Sequence, residues 1–277
     1  MEFNGRGFYN TLKFSSSKQA ESWQIEDLST LEIPSIFERL KKLGIQVTQE
    51  SFTHFVNQTE SPEELADVLS EEEDPKSYEM IYLLVFELWK RLAKNKETLS
   101  IFCDRLDHLI FSYEDQAEVV DDLVNSLSEL QKIFESLNTQ GLSYKECYEH
   151  ISSFMAQDLE AFIYDFISDL IASGENTKAF DLLFGLYDFM HDKLKFDMLK
   201  VSLNILENPE ETESVFDNVI EKLFEKKKHG VIVDAIYFAS DAGLLKKSAN
   251  LAKLLLEKTS GDEKEEIRSL LDPILNP

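Results

Sequence analysis

Four helix breaks at nearly even spacing constrain this chain more than any other feature of it. Gly141, Gly174, Asn208 and Gly243 each stand between two stretches of helical apolar period, at successive separations of 33, 34 and 35 residues. Glycine and asparagine best tolerate the left-handed backbone that ends a helix, which explains why those types recur at the break. Seven residues before each break stand Phe134, Ile167, Val201 and Ile236, all apolar. Twelve residues after it stand Ser153, Leu186, Ile220 and Leu255, apolar in three positions of four. A period near 34 built from helix, tight turn and helix describes hairpins set in a row, each covering the apolar flank of the next.

Composition agrees with helices. Twenty Phe stand against nine Gly and six Pro, too few turn residues for an all-β chain, so the class read here is all-α. With 277 residues, 43% hydrophobic and 29% charged, the chain can bury a sizeable core as one elongated domain or two compact ones. The helix over 77–94 is apolar in nearly every direction and belongs in the middle of its region. Val120, Leu123, Leu127, Leu130, Phe134 and Leu137 alternate steps of three and four, a seam under three heptads long that is expected to pack within the chain. Helix starts are marked by Ser61-Pro62-Glu63-Glu64, by Asn208-Pro209-Glu210-Glu211, and by Ser143 with Glu146. The acidic run at 71–74 reads as a solvated link into the helix that Pro75 opens.

Three regions follow. Residues 1–30, with Gly5, Gly7 and three serines at 15–17, read as a poorly ordered N-terminal arm. Its first twenty residues carry Arg6, Lys13 and Lys18 against Glu2, and Phe3, Phe8, Tyr9 and Phe14 could pack it back on an acidic body. Residues 31–113 form an N-terminal helical region. Residues 114–277 form the hairpin array with a C-terminal capping helix.

The stretch LIASGENTKAFDLLFGL, in which Ala179 follows the turn Gly174 by five residues, and AGLLKKSANLAKLLL, with Gly243, Ser248 and Ala252, resemble the tetratricopeptide-repeat (TPR) superfamily. The resemblance covers about 130–260. Ile167, Val201 and Ile236 are bulky where that family favours a small residue, and Glu146 and Glu213 replace the small residue five after the turn. The resemblance implies a right-handed α-solenoid of antiparallel hairpins; a compact helical bundle is the alternative. It also implies that the first helix of each hairpin lines a concave face, onto which residues ten or six before each turn project. Tyr164, Met198, Ser202 and Tyr237 are the partner-binding residues so selected.

The net charge of −25, from 53 acidic and 28 basic residues, repels phosphate backbones and anionic headgroups, so neither nucleic acid nor a membrane surface is the expected partner. Lys226, Lys227 and Lys228 read as a helix C-terminus complementing the macrodipole. Cys103 and Cys147 lack metal-site spacing and read as free thiols of a reducing compartment. The longest apolar run, Met80 to Phe86, is far below the roughly 20 residues that span a bilayer. No secretory leader is read at the start, and a cytoplasmic location is expected.

Catalytic signals are weak. Asp104 with His108, Glu146 with His150, and Asp188 with His191 have helical spacing for a shared metal, but none forms a doubled set. Asp121-Asp122 opens a diphosphate-type aspartate motif that Asn125 breaks, and no phosphate loop or nucleophile elbow occurs. No catalytic residue and no cofactor is assigned. The reading is a non-enzymatic interaction protein, an adaptor, scaffold or chaperone-like module that binds a helix or peptide of a partner, with charge favouring a basic one. A metal-dependent helical enzyme with a carboxylate-rich pocket, and a structural protein self-assembling through 120–137, are the alternatives.

Overall fold

The structure, a computed structural model, describes residues 26–70, 74–114, 118–207 and 209–275, without the side chains of 205–207 and 209–213. Among these residues there are fourteen α-helices and no strand. The arm residues Phe3, Phe8, Tyr9 and Phe14, the acids at 71–73, and Asn208 lie outside the described residues. The described residues pack as two units, those up to 123 with 149–158 and those of 124–148 with those from 159 onward.

The first unit is built from α1 (Ile33–Lys42), α2 (Gln49–Val56), α3 (Pro62–Leu69), α4 (Pro75–Leu92) and α5 (Leu99–Glu114). Asp74, the last acid of the 71–74 run, starts α4 by accepting the Ser77 amide at 3.0 Å. Ser61 caps α3 through the Glu64 amide, and Glu64 reaches back to the Glu60 amide at 2.6 Å rather than to Ser61 itself. As its all-round apolar pattern requires, α4 is central: Ile81, Leu84, Val85, Leu88 and Trp89 meet Ile36, Leu40, Phe52 and Leu65 in one core. Polar anchors tie the loops to it. Arg91 holds the 3-10 turn Leu28–Thr30 by donating to the carbonyls of Leu31 at 2.6 Å and Leu28 at 2.8 Å. Trp89 Nε1 donates to the Lys96 carbonyl at 2.9 Å.

Two helices pass between the units in the sequence, α6 (Val120–Thr139) and α7 (Tyr144–Ser152). Residues 149–158 belong to the first unit, and one carboxylate explains their place: buried Asp107 on α5 accepts the amides of Ala156 at 2.8 Å and Gln157 at 3.2 Å. The sequence reading divides the chain at 113/114; the structure divides it at 123/124 and returns this short segment to the first unit.

The second unit continues with α8 (Leu159–Ala172), α9 (Asn176–Leu186), α10 (Lys193–Glu207), α11 (Pro209–Glu225), α12 (His229–Asp241), α13 (Leu245–Lys258) and α14 (Gly261–Leu275). The three glycine breaks lie between consecutive helices. Gly141, Gly174 and Gly243 have φ of 106°, 82° and 79°, the left-handed geometry that glycine adopts without a Cβ clash. Helix α8 packs on α9, α10 on α11 and α12 on α13; α8 also touches α10, and α10 touches α12. The apolar positions seven before the breaks, Phe134, Ile167, Val201 and Ile236, are all buried, and so are Leu186, Ile220 and Leu255 twelve after them. Ser153, the polar exception, is exposed in the returned segment. Ala179, Ser248 and Ala252 are fully buried, and Ser248 Oγ donates to the Ile236 carbonyl at 2.9 Å, so these small residues sit where helices approach closely. The α6 seam buries Leu123, Leu127, Leu130 and Phe134, and Phe134 stacks on Phe189 with ring centroids 4.5 Å apart. Glu160 on α8 sets the entry to α10 by accepting the amides of His191 at 2.9 Å and Asp192 at 2.7 Å.

Candidate partner-binding surface

The four residues expected on a concave face lie on α8, α10 and α12, and three of them offer no surface. Tyr164 is 2% exposed, while Met198 and Ser202 are 0% exposed. The Ser202 hydroxyl turns back onto its own helix, donating to the Met198 carbonyl at 2.9 Å. Tyr164 explains the closure. From α8 its hydroxyl donates to Asp234 Oδ2 of α12 at 2.7 Å, while α10 contributes Phe196 edge-on and Lys195, whose Nζ is 4.0 Å from the Tyr164 ring centroid. The space between α8, α10 and α12 is therefore filled by their own side chains. Burial and the Asp234 carboxylate push the Tyr164 hydroxyl far above the ordinary tyrosine range. Burial likewise raises the Asp234 carboxyl, against the Tyr164 hydrogen bond, which lowers it. Tyr237 is half-buried and donates to the Leu270 carbonyl of α14.

Exposed apolar surface lies instead on α9. Ala179, Leu182, Leu183 and Leu186 occupy the i, i+3, i+4, i+7 face of this helix and are buried. Phe180 and Phe184, one turn apart, fall outside that face; each is 50% exposed, and their ring centroids are 4.3 Å apart. Tyr187 extends the row past the end of the helix. Lys200 of α10 lies over both Phe184 and Tyr187, with Nζ 5.3 Å from the Phe184 centroid, and Lys193 lies 4.3 Å from the Tyr187 centroid. Burial lowers the pKa of both lysines, opposed by Asp188 and Asp197. The Tyr187 hydroxyl donates to Asp197 at 2.6 Å, and burial together with that carboxylate pushes its pKa up to about 12. The result is an aromatic ledge edged by cations that are already engaged with its rings. The signal was present in LIASGENTKAFDLLFGL: four small or aliphatic residues already complete the buried face, which leaves two phenylalanines surplus.

The metal-spaced pairs have other roles. His108 Nε2 stands 3.9 Å from the buried Asp104 carboxylate, which Lys90 engages at 2.6 Å, while the other oxygen of Asp104 has no hydrogen-bond partner. Burial lowers the His108 pKa, opposed by Asp104. Glu146 caps α7 by accepting the Ser143 amide at 2.8 Å. His191 packs edge-on to Tyr148 and faces Glu160, with Nδ1 3.6 Å from the carboxylate. No group of three or more His, Cys, Asp or Glu among the described residues is arranged to hold a metal ion. Both cysteines are buried free thiols. No helix among the described residues is long and apolar enough to cross a membrane. No protein family matches the chain, and neither a curated protein nor a solved structure matches it.

Proposed function

We propose that this protein is a non-enzymatic interaction module, a TPR-like array of helical hairpins that binds a helix or peptide of a partner protein. The observation that carries the reading is the Phe180–Phe184 pair: two large rings, half exposed and in mutual contact, on a helix whose other face is already filled. Rings of this size at a solvent boundary are the side chains from which interface anchors are made. The array reading is supported by the left-handed glycines at 141, 174 and 243, 33 and 69 residues apart, and by the contacts of α8, α10 and α12 with one another and with the helices that follow them. On this reading the docking face is carried by the second helix of a hairpin, because the space between α8, α10 and α12 is closed by Tyr164 and its neighbours.

Photo-crosslinking in extract of the native cell tests the proposal. A crosslinking residue at Phe180 or Phe184 is expected to capture one discrete protein, and the same residue at exposed Glu266 of α14 is not. Replacing both phenylalanines with serine is expected to abolish capture while moving the thermal midpoint by less than about 2 °C, since exposed rings contribute little to the fold. Capture of a second copy of the chain would favour self-assembly instead, and bound divalent metal in the purified protein would favour an enzyme.

A further inference from the structure

We infer that the groove between α11 and α13 docks a cationic amphipathic helix of a partner protein. The inference rests on the interaction-module reading but not on the α9 ledge. Two contacts set the groove's walls. Near the start of α13, Lys247 pairs with Asp217 at 2.8 Å and lies over the Phe216 ring; at its end, Lys258 lies 5.2 Å from the Phe224 centroid. The two helices therefore run side by side in the same direction. Between them the floor is apolar, made by Ile220, Phe224 and Leu254, the last 39% exposed.

The rim selects the occupant. Asp217, Glu221 and Glu225 recur every four residues along α11 and so share one face. Lys247 neutralises Asp217, whereas Glu221 and Glu225 have no cationic partner among the described residues. Two carboxylates one turn apart repel each other, and a lysine or arginine set between them removes that repulsion. The body's charge of −25 adds long-range attraction of the same sign. Lys258 opposes a cation at one end only, and its ammonium is held against the Phe224 ring. A furrow with an apolar floor between two parallel helices, one of 17 and the other of 14 residues, suits a helix laid along it, with apolar side chains down and basic ones toward α11.

The test uses the intact chain and a fluorescent peptide of about 14 residues, with leucines at i, i+3, i+4 and i+7 and lysines elsewhere, titrated by anisotropy at about 0.15 M salt. The lysine peptide is expected to bind, and a counterpart with glutamates for lysines is not. Glu221→Lys with Glu225→Lys, and separately Leu254→Asp, should each weaken binding by about tenfold or more, and Lys258→Glu should tighten it by about threefold. Phe180→Ser with Phe184→Ser should leave the affinity within about twofold. All these side chains are exposed or at the rim, and circular dichroism checks that each variant is folded. Failure of the lysine peptide to bind overturns the inference. So does binding that survives Leu254→Asp, which marks diffuse attraction to an acidic body. Binding lost only in the α9 variant overturns the groove as its site and leaves the interaction-module reading standing.

Discussion

Lys227, with φ of 53°, is the non-glycine residue in the left-handed region among the described residues. It ends α11, within the lysine run that the sequence assigns to a helix C-terminus, and Lys228 reaches on to Asp192 at 2.6 Å. An L-residue in that region costs about 1–2 kcal/mol, so Lys227→Gly is expected to stabilise the protein by roughly 0.5–1 kcal/mol in chemical unfolding, after glycine's greater unfolded-state entropy is subtracted. Asp234 shows a subtler effect. Its folded-state pKa is raised above 3.8 by burial, so the native state holds the proton more tightly than the unfolded chain does. That contribution is complete below about pH 3.8 and is lost as pH rises through the folded value. Asp234→Asn keeps an oxygen for the Tyr164 hydroxyl and removes the buried charge. Its thermal midpoint should exceed that of the parent by about 2–4 °C at neutral pH and by almost nothing near pH 3.5. An equal difference at both pH values would exclude the protonation account.

At the scale of the element, the hairpin turns were legible because their cause is local. A left-handed turn needs glycine or asparagine at one position, and the helices on either side need apolar residues on one face, so spacing alone located Gly141, Gly174 and Gly243. Residues 149–158 were not legible in this way. Their position depends on Asp107, whose carboxylate meets amides 49 and 50 residues away. Nothing about an aspartate within a helix announces which distant backbone it will satisfy. Asp107→Ala leaves two amides without their charged acceptor, and a loss of about 2–3 kcal/mol is expected, with hydrogen exchange at Ala156 and Gln157 accelerating before that of the α4 core. Uniform acceleration across the first unit would show that the contact is no more than one packing term among many.

For the whole molecule, charge is the dominant property that packing does not reveal. A body carrying −25 repels itself, because 28 basic residues cannot offset 53 acidic ones. Raising salt from about 0.05 to 0.5 M should therefore lift the thermal midpoint by roughly 3–5 °C, because screened self-repulsion outweighs weakened surface pairs. A falling midpoint would mean that the ion pairs dominate.

By itself the sequence determined the helical class and the placement of the glycine turns, since each follows from backbone preference and apolar period within some twenty residues. Only the tertiary structure decided which faces remain open. Tyr164, Met198 and Ser202 have the right spacing for a shared surface, yet α8, α10 and α12 approach so closely that Tyr164 bonds Asp234 and the space between them is filled. Phe180 and Phe184 stay outside because four neighbours already complete the buried face of α9. Periodicity reports the direction in which a side chain leaves its helix; whether another helix stands there depends on contacts made by residues far away in the chain.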